Sequence, residues 1–147
     1  MELVWITLAA LAGGCLAMQA GANSGLKSVV GDARTAAFLS ICGTFATAVL
    51  FLLATRQPVP TAAAVRNAAW WQWLGGPLGA CVVLAGAALT QRLGSAAYIA
   101  ALVGGQLVFS LALDHWGLMN LPQQALTPGR LLGAAMVFAG VLCVKYL

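Results

Sequence analysis

Apolar positions along this chain fall in long continuous runs, interrupted by single charges rather than alternating with polar residues as in a soluble domain. Uncharged stretches run from Leu3 to Leu26, Thr35 to Thr55, Asn67 to Gln91 and Leu93 to Leu113. Each is long enough to cross a bilayer as a helix, which takes roughly 20 residues. A shorter stretch, Leu131 to Val144, spans if Lys145 snorkels to the interface along its alkyl stem. The pattern predicts an all-α integral membrane protein with about five transmembrane helices, over 4–24, 35–54, 72–91, 95–114 and 129–147. No connection is long enough to fold by itself, so 1–147 is expected to form a single transmembrane domain.

Turn residues support the same division. Gly31-Asp32 marks a turn, after which Thr35 is placed to cap the second helix. Pro58 and Pro60 break the chain, and Thr61 to Ala69 reads as a short interfacial helix. Trp70, Trp71 and Trp73 then stand at the mouth of the third span, as an aromatic belt does. Gly94 suits the end of that span and Ser95 the N-cap of the next. Thr127-Pro128 is a cap followed by proline at the first helical position.

Composition sharpens this picture. Only 7% of residues are charged, against about 25% in soluble domains. The net charge of +4 is scattered, which suits anionic headgroups of the lipid bilayer and not nucleic acid. Glu2 stands where a signal peptide needs positive charge, so the first helix is expected to be retained. Cys15, Cys42, Cys81 and Cys143 lack metal-ligand spacing and read as small packing residues. No phosphate-binding loop or Ser/His/Asp constellation is present, so no cofactor, metal or enzyme activity is expected.

Orientation is the unusual feature. One side of the membrane would carry Arg56, Arg66 and Arg130, and the other Lys27, Arg34, Arg92 and Lys145. Three against four is too small a bias to fix topology by the positive-inside rule. Insertion both ways would allow an antiparallel homodimer, the two-chain counterpart of an inverted repeat.

Polar residues within spans are costly and mark either a pathway or helix-to-helix bonding. Gln19 and Asn23, Ser40 and Thr44, and Gln106 and Ser110 are each spaced i, i+4, which puts each pair on one helix face. The amides could line a substrate pocket near the midplane. The hydroxyls could equally bond back to their own helices. Asp114, four residues past Ser110, could bind a cation or couple to protons, or be an interfacial residue beside His115. Trp71 belongs to the belt, with a ligand-facing cation–π role as the alternative. Gly21 and Gly25 form a G-x-x-x-G pair, and Gly75-Gly76 and Gly104-Gly105 read as close-packing or helix-loosening sites.

Several of these runs together resemble the YdcZ-like family of the drug/metabolite transporter superfamily. They are Gln19-Ala20-x-x-Asn23, Trp70-Trp71-x-Trp73-Leu74-Gly75-Gly76-x-x-Gly79, Arg92-Leu93-Gly94, Gly105-Gln106, Asp114-His115-Trp116-Gly117-Leu118 and Leu126-Thr127-Pro128-Gly129-Arg130-Leu131-Leu132-Gly133. The resemblance implies a bacterial inner-membrane protein of about five helices, with Gln19, Asn23, Trp71, Gly75, Gly76, Gly105, Gln106 and Asp114 at matching positions. Small multidrug exporters of the superfamily use a glutamate within the first helix; Glu2, at the very end, does not replace it. The expectation is a small secondary transporter acting as an antiparallel homodimer on a small polar metabolite or drug-like solute. Its candidate substrate-binding residues are Gln19, Asn23, Ser40, Trp71, Gln106, Ser110 and Asp114. A passive channel, or a non-transporting helper of another membrane protein, is the alternative.

Overall fold

A computed structural model describes all 147 residues. The chain is helical throughout, without strands: α1 Glu2–Val30, α2 Ala33–Thr55, α3 Ala62–Arg66, α4 Gly75–Leu93, α5 Ser95–Trp116 and α6 Pro128–Tyr146. Short 3-10 turns, Trp70–Leu74 and Leu118–Asn120, precede α4 and follow α5. Five helices are long and apolar enough to cross a membrane, the third of them running from Trp70 to Leu93.

The first helix is longer than its hydropathy predicts. It continues six residues past Ser24 to Val30, because neither Gly25 nor Lys27 is a helix breaker in a long apolar frame. What stops it is Gly31, whose φ of 80° is left-handed and whose N–H reaches back to the Lys27 carbonyl at 2.8 Å. At 1.5 Å per residue the helix is about 44 Å long, more than the roughly 30 Å hydrocarbon layer.

Two caps differ from the sequence reading. Asp32, not Thr35, caps α2: its carboxylate accepts from the Thr35 N–H at 2.9 Å and the Thr35 hydroxyl at 3.2 Å. The carboxylate sits one turn before Thr35, where it meets the unpaired N–H groups and the positive end of the helix. Gly94, not Ser95, is the residue before α5, with φ 83° and ψ 149°. A left-handed φ at that single-residue turn favours glycine over serine. Thr127 does act as a cap, its hydroxyl accepting from the Arg130 N–H at 3.3 Å, and Thr61 caps α3 in the same way, accepting from the Ala64 N–H at 3.2 Å.

The chain divides into two compact units, Met1–Gln91 and Arg92–Leu147. In the first, α1 packs on α2, and the small side chains of Ala20, Ala36 and Ala37 are buried. A groove of about 260 Å³ lies between α2 and α4, lined by Ala37, Phe38, Ile41, Ala80, Cys81 and Leu84. In the second unit α5 packs on α6. Gly104 is the close approach: a Cβ there would lie 3.5 Å from Val141 and 3.6 Å from Phe138. Gly21, Gly25, Gly75, Gly76 and Gly105 meet nothing comparable, so the G-x-x-x-G pair makes no such contact within the chain. Large apolar residues such as Phe45, Phe51, Phe109 and Leu131 are exposed, as suits side chains bathed in lipid.

Candidate functional site: a polar seam between α1 and α4

The polar faces read from the sequence have different fates. On α2 the Thr44 hydroxyl donates to the Ser40 carbonyl at 3.1 Å, and on α5 the Ser110 hydroxyl donates to the Gln106 carbonyl at 2.7 Å. Both hydroxyls are thus satisfied by their own helices. Gln106 and Ser110 are exposed, Ser40 is half-buried and Trp71 is half-buried in the turn before α4. Asp114 forms an ion pair with Arg130 at the start of α6, and Arg130 also donates to the Gln124 carbonyl at 3.3 Å. The carboxylate is thereby neutralised from within the second unit. Beside it, His115 stacks edge-on with Trp116 and lines an apolar cavity of about 380 Å³ with Leu126, Leu131 and Ala134.

The α1 face behaves differently. Gln19 is half-buried and Asn23, one turn on, is 5% exposed with its side-chain NH₂ group unpartnered. Ser24 and Thr90 are also buried, at 3% and 6%, with unpartnered hydroxyls. Around them α1 and α4 are joined by polar side chains that the sequence reading missed. Gln91 donates to the Ser24 carbonyl at 2.9 Å and to the Ser28 hydroxyl, and the Lys27 ammonium donates to the Ala88 carbonyl at 3.4 Å. A buried polar group without a partner costs on the order of 1–3 kcal/mol. Three of them beside one helix contact make this the most polar and least satisfied place in the first unit. The signal for it was present in the i, i+4 series Gln19, Asn23, Lys27 on α1, continued by Thr90-Gln91 at the end of α4. Pairing between segments more than 60 residues apart is what the linear pattern did not supply.

Outside the membrane the Asp32 carboxyl is held below its ordinary pKa, chiefly by the backbone hydrogen bond from Thr35. No group of three or more His, Cys, Asp or Glu residues is placed to hold a metal ion. The four cysteines are free.

Five membrane-length helices, a few charges at their ends and a buried amide with two buried hydroxyls at one helix contact define a multi-pass integral membrane protein. The chain belongs to the DMT_YdcZ family: the family model, described as "Putative inner membrane exporter, YdcZ", matches residues 4–143. The protein is accordingly a multi-pass inner-membrane protein, as the resemblance in its motifs implied, and the family's description is that of a membrane exporter and not of an enzyme. No curated protein and no solved structure matches the chain.

Proposed function

We propose that the protein is a small secondary transporter of the drug/metabolite transporter superfamily, moving a small polar metabolite or drug-like solute across the inner membrane by alternating access. It works as an antiparallel homodimer, with two copies of one membrane domain taking the place of inverted halves. The observation that carries the reading is Asn23: a buried amide whose NH₂ group has no partner. A polar group within a span marks either a pathway or helix-to-helix bonding, and the Asn23 NH₂ makes no bond to a neighbouring helix. Gln19 extends that face by one turn toward the N-terminus. The α5 face with Gln106 and Ser110 is a second candidate lining. Asp114, on the same helix, is already paired to Arg130, and Trp71, in the turn before α4, walls an entrance.

Purified protein in liposomes tests the proposal with a panel of small polar solutes. Flux of the transported solute is expected to saturate, and Asn23→Ala to lower it roughly tenfold, the worth of one hydrogen bond to substrate. Flux that stays linear in concentration indicates a pore. Absence of both flux and thermal stabilisation with every solute refutes transport. The dimer is tested with single cysteines in the connections, after replacing the four native ones. Labelling from both faces of intact cells is expected; labelling from one face only removes the antiparallel arrangement.

A further inference from the structure

The seam between α1 and α4 is unbalanced in charge as well as in hydrogen bonding. Lys27 lies one turn after Asn23 on the same face of α1, is itself half-buried, and makes one long hydrogen bond, 3.4 Å, to a carbonyl. No carboxylate answers it. Glu2 is at the far end of α1, the Asp32 carboxylate is taken up by Thr35, and Asp114 is paired with Arg130. An ammonium at the edge of a low-dielectric layer without a counter-ion is costly. Next to it stand the unpartnered Asn23 NH₂ and the unpartnered hydroxyls of Ser24 and Thr90, all more than nine-tenths buried. The Gln91 amide that could have served as an acceptor is instead turned toward Ser24 and Ser28 as a donor. The seam therefore offers one positive charge, an amide donor and two hydroxyls, with no anion of its own.

We infer that this seam binds the anionic group of a solute, a carboxylate by chemical class, with Lys27 as its counter-ion and Asn23 as a hydrogen-bond donor. The inference rests on the transporter reading and narrows its substrate to organic anions. It also gives Lys27 a role apart from topology. The ammonium sits about one turn from the end of α1, near the headgroup layer, while Asn23 lies roughly 6 Å deeper, by the rise of four residues. A carboxylate arriving from that side meets the charge first and the amide second. Ser24 and Thr90 supply hydroxyls that can turn to donate.

Matched probes that differ only in charge test this: benzoate against benzamide, and lactate against lactamide. Wild-type protein in phosphatidylcholine liposomes is expected to bind the carboxylate of each pair roughly 10- to 100-fold better than its amide, the worth of a charge-assisted hydrogen bond. Affinity is read from thermal stabilisation and transport from counterflow. Lys27→Gln is expected to collapse the ratio toward one, and Lys27→Arg to keep it. Asn23→Asp supplies Lys27 with an internal counter-ion and is expected to abolish the preference, so the inference stays testable if Lys27→Gln does not fold. Equal binding of acid and amide by wild-type protein, binding of neither, or an unchanged ratio in Lys27→Gln overturns it. Lys27-dependent stabilisation seen only with phosphatidylglycerol added, and not with soluble carboxylates, assigns the seam to a lipid headgroup and also overturns it. Lys27-dependent binding of benzoate without counterflow upholds the anion site while refuting transport. Counterflow of lactamide as fast as lactate does the reverse.

Discussion

Asp114 and Arg130 make the only ion pair in the structure, and its removal has a calculable effect. The side chains are 25% and 29% exposed, between a surface pair and a buried one. Exposed pairs contribute about 0–1 kcal/mol and broken buried pairs cost about 3–5 kcal/mol. An intermediate value of about 1–2 kcal/mol follows for Asp114→Asn. The pair also closes a loop. The Asp114 carbonyl accepts from Gln124 N–H at 2.8 Å and from Gly117 N–H at 3.3 Å, and Gln123 donates to the His115 carbonyl at 2.9 Å. These ties, two from backbone N–H groups and one from the Gln123 side-chain amide, survive the substitution, which keeps the loss from rising to the buried-pair value. At about 2–4 °C per kcal/mol for a chain of this size, the melting temperature should fall by about 2–8 °C. Asp114→Asn, Arg130→Gln and the double variant form a cycle, read by fluorescence-detected size exclusion after heating in detergent. A coupling of about 1 kcal/mol or more is expected between them. Strictly additive losses would refute a pairing role. So would an Asp114→Asn variant that melts like wild type.

Two further outcomes follow from local geometry. Gly104→Ala should be tolerated, because its Cβ would make ordinary contacts at 3.5 and 3.6 Å, whereas Gly104→Leu should lose about 1–3 kcal/mol by driving α6 away from α5, measured by the same melting assay. Asp32→Ala should shorten α2 at its start, seen as lost helicity by circular dichroism in nanodiscs. The Asp32 contribution is complete above the ordinary carboxylate pKa and is lost as pH falls through the lowered folded-state value, so acid should destabilise wild type more than Asp32→Ala.

The spans were legible because hydropathy and the spacing of charges report on the same physical constraint, the thickness of the bilayer. Five helices long and apolar enough to cross a membrane are present, the number that was expected. Their ends were less legible. The first helix was expected to end at Ser24, with Lys27 in the connection, yet a lysine with a long alkyl stem can stay helical and turn its ammonium to the Ala88 carbonyl. Thr35 was read as the cap of α2 and Asp32 as part of the turn before it; that Asp32 caps instead depends on backbone φ and ψ, which composition does not encode. The candidate polar faces were visible as i, i+4 pairs, but not which of them would be satisfied. Ser110 and Thr44 bonded back to their own helices, one of the two outcomes open to them. The partner of Asp114 was invisible, since Arg130 lies across a loop of irregular backbone with Met119 and Asn120 at positive φ.

These fates separate structural polarity from polarity left over for function. A hydroxyl bonded to its own helix and an aspartate paired with an arginine have met their desolvation cost within the chain. Buried Asn23, Ser24 and Thr90, and Lys27 without a counter-ion, have not. Folding alone would have favoured apolar residues there, because a hydrophobic seam costs nothing in lipid. Gln91 makes the contrast within a single seam: its amide ties α4 to α1 through Ser24 and Ser28, so holding the helices together does not require the unpartnered groups beside it. What those groups have in common is the capacity to donate. A donor-rich, singly positive seam in a chain with only three acidic residues favours an acceptor-rich, negatively charged ligand over the cations that a glutamate within the first helix would draw.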